Sequence, residues 1–218
     1  MEQLLPRHGK YVGSSITIQF HAGMMPLEQL RQEHGSNAGF PHSSKLYVHL
    51  GCGDRHLSGW LNLDAPNYDI SRPLPWENES VDAYYLEHVI DQVSSEKACG
   101  FFFEAFRSLK PGGILRLAFR DVLSLAGTVT PAFRQYMKNK YPDTFIPSNK
   151  VGAILAFYRQ KSLWTVDLLT EVLKSAGFEV EVLDPGVSEH THLQSLERRS
   201  DRDEHPFDLL GTVCMEAK

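Results

Sequence analysis

Cysteine is scarce in this chain: three residues in 218, Cys52, Cys99 and Cys214, lying far apart. Their spacing matches neither a metal site nor a disulfide framework, which argues against a stapled secreted scaffold. Long apolar runs are missing too. The longest, Val151–Tyr158 (VGAILAFY), falls well short of the roughly 20 residues that a membrane-spanning helix needs. Arg7, His8 and Lys10 are followed by no apolar stretch, so no signal peptide is expected, and the reading is a cytoplasmic protein with reduced thiols. An excess of positive charge is also absent. With a net charge of -5 and a pI near 6.0, nucleic acid is not the expected partner, because a phosphate backbone selects a basic face. No internal repeat or low-complexity segment is visible, and the sequence does not indicate an oligomeric state.

What is present fits a globular α/β protein. The chain is 42% hydrophobic and 22% charged, and its length suits one domain with a core and an insertion or two. Residues 1–44 contain an alternating stretch, Ser14–Phe20, and a proline-initiated one, Pro26–His34, followed by a turn-rich segment, Gly35–Ser44. They read as a lid or cap, or equally as padding for the core. From residue 45 onward the pattern is regular. Strands are expected at Leu46–Leu50, Trp60–Asp64, Val81–Leu86, Ile114–Phe119, Phe178–Leu183 and Leu209–Ala217. Ser94 caps a helix with the apolar stripe Phe101, Phe102, Ala105, Phe106 and Leu109, stopped by Pro111–Gly113. Thr165 caps another, with Leu168, Leu169, Val172, Leu173 and Ala176, ended by Gly177. Alternating strands and helices predict a doubly wound, mostly parallel sheet of the Rossmann-like kind. The missing helix between the last two strands predicts an antiparallel strand near the C-terminal edge. The main domain is therefore 45–218, with a helical insertion at about 122–161.

The ligand signal lies in Lys45–Asp64 (KLYVHLGCGDRHLSGWLNLD). In an open α/β sheet, ligands bind beyond the carboxyl ends of the strands, and glycines there let the backbone approach them closely. A dinucleotide fingerprint would need a third glycine and an acid about twenty residues on, and a phosphate loop would end in GK[ST]. His56 stands where the third glycine would be, Asp64 follows Gly51 too closely, and no GK[ST] occurs. A nucleoside without pyrophosphate remains. Asp64, at the tip of the second strand, is placed to accept hydrogen bonds from a ribose diol; the bland alternative is a turn cap before Pro66.

The ordered series HLGCGDRHLSGWLNLD, LPWENESVDAYYLEHV and RSLKPGGILRLAFRD, over residues 45–121, resembles the class I S-adenosylmethionine-dependent methyltransferases. The nearest branch is one of small predicted methyltransferases with a shortened loop after LGCG. The resemblance implies S-adenosylmethionine as cofactor. It places Gly51, Cys52 and Gly53 at the methionine half, Asp64 at the ribose, Asp69 and Ile70 at the adenine, and Leu86 and Glu87 beside the methyl donor. This sequence departs from the family at His49, where an acid is usual, at Arg55 in place of a glycine, and at HVIDQ (His88–Gln92) in place of HVLEH.

Methyl transfer from a sulfonium is an in-line displacement in which much of the catalysis comes from holding the reactants about 3–3.5 Å apart. A general base helps when the acceptor carries a proton. His88 is the candidate, with Glu87 beside it; the alternative is a packed core histidine. His190, His192 and His205 lack the further ligands of a metal site, so no metal is expected. Residues 120–161 hold seven cations, Arg120, Arg134, Lys138, Lys140, Lys150, Arg159 and Lys161, against Asp121 and Asp143. This is either a solvated face or the cover of a small, anionic acceptor, with Arg120, Tyr136 and Tyr158 as its contacts. Two other readings keep the fold: a different reaction, such as cyclisation or aminopropyl transfer, and a cofactor-binding scaffold without turnover.

Overall fold

The structure is a computed structural model that describes residues 45–65, 68–124, 131–140, 142–143, 151–152, 155, 160–197 and 212–218. The expected elements at Ser14–Phe20 and Pro26–His34, together with Tyr158 and His205, lie outside these residues.

Six strands form one sheet: β1 (Tyr47–Leu50), β2 (Leu61–Leu63), β3 (Val81–Glu87), β4 (Leu109–Arg120), β5 (Val180–Leu183) and β6 (Thr212–Ala217). Their order is β2-β1-β3-β4-β6-β5. The pairs β1–β2, β1–β3 and β3–β4 are parallel, and β6 runs antiparallel to both its neighbours. The expected sheet is therefore found, with the reversed strand one place in from the C-terminal edge. Helix α1 (Ser95–Ser108) crosses from β3 to β4, and α3 (Val166–Ala176) from β4 to β5. Helix α2 (Pro131–Lys140) lies within the expected insertion.

Capping signals read from sequence act as expected. Ser94 accepts from the Lys97 amide at 3.4 Å and Thr165 from the Leu168 amide at 3.1 Å, while Gly177 closes α3 at φ 113°. One element differs. Leu109 begins β4, and the chain does not stop at Pro111–Gly113. Val81 pairs with Leu109 and Ala83 with Ile114, so Lys110–Gly113 form a bulge inside the strand. A Cβ on Gly113 would meet the Lys110 carbonyl oxygen at 2.9 Å, so glycine is what permits the bulge.

The two sheet faces are built differently. One packs Val48, Leu50, Leu86, Leu115, Leu117 and Met215 against α1 and α3, with Ile70, Leu74 and Trp76 from the segment after β2. Arg107 anchors that segment, donating to the carbonyls of Trp76 (2.9 Å) and Leu74 (3.3 Å) and pairing with Glu104 (2.9 Å). The other face carries a polar row that runs straight across the sheet: Asn62, His49, Tyr85, Arg116 and Glu216 are successive cross-strand partners. Arg116 is fully buried. It meets Glu197 and Glu216, each at 2.7 Å, and donates to the Val187 carbonyl at 2.9 Å. Burial alone would lower its pKa, and the two carboxylates reverse this and hold it above the ordinary value. Glu197 also accepts from the Gly186 amide at 2.7 Å, so this cluster fastens the segment after β5, including the short 3₁₀ turn Thr191–Leu193, onto the sheet. Leu193 and Leu196 then complete a small second core with Trp60, Ala83 and Tyr85.

Removing one partner of a buried ion pair costs about 3–5 kcal/mol, because the remaining charge keeps its desolvation penalty. Arg116→Leu leaves two buried carboxylates and is expected to lose stability of that order in urea denaturation. A loss below about 1 kcal/mol would show that the cluster does not fasten this face.

Candidate functional site

Strand order reverses between β1 and β3: from β1 the chain moves to β2 on one side, then returns to β3 on the other. Beyond the carboxyl ends of strands at such a switch point, an open α/β sheet has a crevice. Here the crevice is a cleft of about 470 Å³, within the range of small-molecule sites. Gly51 follows β1, Asp64 and Ala65 follow β2, and His88 and Val89 follow β3; Ser94 and Lys97 come from the start of α1.

Gly51 sets how closely the walls approach. Its φ is +68°, and a Cβ there would lie 2.3 Å from Val89 Cγ2. The amides of Gly51 and Cys52 both donate to the Leu63 carbonyl, at 2.8 and 3.2 Å, fixing the first turn against the end of β2. This holds Asp64 at the rim. No group among the described residues donates to the Asp64 carboxylate, whereas its carbonyl accepts from the Tyr68 amide at 2.9 Å. Asp69 behaves differently. One oxygen accepts from the Ser71 amide at 2.8 Å, and this bond, outweighing burial, lowers its pKa. That is an Asx turn, and it presents the buried side chain of Ile70 to the same cleft.

His88 has φ +55°, a left-handed conformation that costs a non-glycine residue about 1–3 kcal/mol and persists where the surroundings enforce it. Its amide donates to the Ala118 carbonyl at 2.8 Å, and its Nε2 lies 3.4 Å from Thr212 Oγ1. The following 3₁₀ turn, Ile90–Gln92, is held from outside. The Asp91 carbonyl accepts from the amides of Lys161 (2.7 Å) and Ser162 (3.3 Å), and the buried Asp91 carboxylate accepts from Gln160 Nε2 at 2.5 Å. Lys161 is thereby brought to the cleft.

The structure thus gathers Gly51, Asp64, Asp69, Ile70 and His88 around one space. The other residues singled out from sequence stand elsewhere. Cys52 is buried with its thiol toward the Gly53 carbonyl, and burial raises its pKa. Glu87 pairs with Arg55 at 3.3 Å, and Leu86 lies in the apolar core between β1 and β4. Arg120 is buried 3.8 Å from Asp91, and Tyr136 is a half-buried residue of α2; neither lines the cleft. Tyr68, Val89, Gln92, Val93, Ser94 and Lys97 line the cleft without having been singled out as site residues. The sequence signal for the last two was the helix cap at Ser94, which follows β3 and the Ile90–Gln92 turn.

His49 is explained by its face. It points away from the cleft into the polar row, 2% exposed, 3.1 Å from Asn62 Oδ1. Asn62 Nδ2 donates to the carbonyls of Leu57 and Trp60, so its Oδ1 accepts, and His49 carries its proton on Nδ1. Burial pushes the His49 pKa down to about 4, so it is neutral at pH 7. Among the described residues no group of histidine, cysteine and acid side chains could hold a metal ion.

Gly51→Ala places a methyl group on Val89 at a left-handed backbone position. It is expected to cost about 1–3 kcal/mol of stability and to weaken ligand binding in the cleft, read by thermal melts and calorimetry. Native stability with native binding would show that the two turns do not depend on this contact.

No family profile matches the chain, nor does any curated protein. Several solved structures do. A S-adenosylmethionine-dependent methyltransferase from Mesorhizobium loti is 14% identical, with 87% of this chain and 96% of that one covered, at a TM-score of 0.48. One from Archaeoglobus fulgidus is 13% identical, covering 88% and 91%, at 0.46. One from Thermotoga maritima is 20% identical, covering 80% and 82%, at 0.42.

Proposed function

We propose that this protein transfers a methyl group from S-adenosylmethionine to a small anionic acceptor. The observation that carries the reading is the cleft at the switch point, where a bare Gly51 faces an Asp64 carboxylate that takes no donor from the described residues. A backbone without a side chain and an unused carboxylate suit a nucleoside whose diol supplies paired hydroxyl donors. Ile70 offers an apolar surface for the base, and the Asx turn at Asp69 fixes that surface. When bound, the cofactor supplies an electrophilic methyl on a positively charged sulfur.

The chain supplies position and proton transfer. His88 sits in the cleft at the end of β3, oriented toward Thr212 and held in a strained conformation, and it takes the acceptor proton. Lys97 and Lys161 line the same cleft and complement a negatively charged acceptor.

Calorimetry with S-adenosylmethionine and S-adenosylhomocysteine tests the reading; binding of neither would defeat it. Asp64→Ala is expected to weaken S-adenosylhomocysteine roughly 10- to 100-fold with a native melting curve, since bonds to a charged group contribute about 1.5–3 kcal/mol. His88→Ala is expected to lower turnover by ~10²–10⁴ while that affinity changes little. Full turnover between pH 6 and 9 in His88→Ala would leave proximity as the catalytic device.

A further inference from the structure

We infer that Gln160 and Ser162 are positioning residues for the proposed methyl transfer: together they clamp the turn after β3 and so hold His88 in the conformation that aims its ring. This rests on the reading of His88 as the group that takes the acceptor proton. His88 lines the cleft at φ +55°, in the left-handed region. A non-glycine residue stays there only where the surrounding structure over-determines the backbone. One hold precedes the strained bond: the His88 amide donates to the Ala118 carbonyl of β4 at 2.8 Å. A second hold must follow it, because the 3₁₀ turn Ile90–Gln92 has no side-chain cap of its own.

That second hold comes from the segment leading into α3. The Ser162 amide donates to the Asp91 carbonyl at 3.3 Å, and its hydroxyl donates to the Ile90 carbonyl at 3.0 Å. The same oxygen accepts from Trp164 Nε1 at 2.9 Å. One buried side chain thus ties two consecutive carbonyls of the turn to an indole of the core. Gln160, also buried, adds the bond from its Nε2 to the Asp91 carboxylate, and the Lys161 amide donates to the Asp91 carbonyl at 2.7 Å. The foot of the clamp is fixed. Trp164 packs edge-on to Phe102 with ring centroids 6.2 Å apart, bridges to Asp121, and its carbonyl accepts from the Val122 amide at 2.9 Å. Asp121 directly follows β4, so His88 is strung between two points at the end of one strand, Ala118 and Asp121. Gln160, Ser162 and Trp164 do not line the cleft, and Asp64, Asp69 and Ile70 stand on its β2 side. Loosening the clamp therefore leaves those groups in place and frees the turn. His88 then relaxes toward a negative φ, and its ring leaves Thr212 Oγ1, now 3.4 Å from Nε2. Turnover falls without loss of cofactor affinity, because a base acts only within hydrogen-bond reach of its proton.

The test is NMR of the full chain without ligand, comparing wild type with Gln160→Ala, Ser162→Ala and Ser162→Thr. The one-bond Cα–Hα coupling of His88 reports the sign of φ, and amide exchange reports its hold on Ala118. Wild type is expected to show the coupling of a positive φ. Both alanine variants should move it toward a negative φ and speed exchange of the His88 amide roughly tenfold or more beyond any change at Leu117. Ser162→Thr keeps the hydroxyl and should retain the wild-type coupling. Should Ser162→Ala fail to fold, Gln160→Ala carries the same test. With a mixed metabolite extract as the acceptor source, formation of S-adenosylhomocysteine should fall about 10- to 100-fold in the alanine variants. Their affinity for S-adenosylhomocysteine should stay that of wild type. A negative φ at His88 in wild type, or a native coupling in the alanine variants, overturns the inference. So does native turnover in variants whose coupling has moved. The coupling needs neither cofactor nor acceptor, so failure of the clamp and failure of the methyl-transfer reading are separate results.

Discussion

The architecture of the main cleft depends on one contact, the approach of Gly51 to Val89. A methyl group there would sit 2.3 Å from the valine, so the turn after β1 and the turn after β3 meet only because residue 51 has no side chain. Everything else in the cleft is referred to this contact. The amides of residues 51 and 52 reach across to Leu63, which places Asp64. Val89 is continuous with the strained His88 on one side and the Ile90–Gln92 turn on the other. Backbone bonds from Lys161 and Ser162 then brace that turn from the far side. A small error at Gly51 would therefore move the acid, the histidine and the lysine together.

The reverse side of the sheet is held by charge. Arg116 lies inside the fold between Glu197 and Glu216, an arrangement whose desolvation cost is large and is offset only because both carboxylates approach to 2.7 Å. Its consequence is specificity of placement. The segment after β5 has few apolar residues, and Arg116 fixes it by reaching Val187 directly and Gly186 through Glu197. That fixed segment carries His190 and His192 to the amino-terminal end of the strands. Thus a buried ion cluster in mid-sheet fixes the segment at one end of the strands, while a bare glycine decides the shape of the cleft at the other.

Two departures from the methyltransferase pattern have local explanations. Position 49 alternates to the face away from the cleft, and its histidine is a neutral donor to Asn62. The aspartate in HVIDQ is buried, accepting from Gln160 with Arg120 at 3.8 Å, so it braces the turn after His88. Charge at position 91 belongs to the cleft's support. Arg120, whose sign marked it as an acceptor contact in the sequence, is drawn to that same buried site.

Periodicity and capping made the sheet and its two crossing helices legible, because strand alternation, Ser94, Thr165 and Gly177 act within a few residues of themselves. The reversed last strand was legible for a similar reason: no helical pattern is read between it and β5 in the sequence. Glycines before an aspartate marked where a ligand could approach. The sequence could not show that Lys110–Gly113 continue a strand as a bulge, since that depends on Asp82 and Val81 across the ladder. Nor could it pair Arg116 with Glu197 and Glu216, which lie 81 and 100 residues away. Lys97 and Lys161 reach the cleft, and Leu86 and Arg120 leave it, through the direction each strand and turn takes after folding. Local chemistry specified the elements, and long-range packing decided which of their side chains share a space.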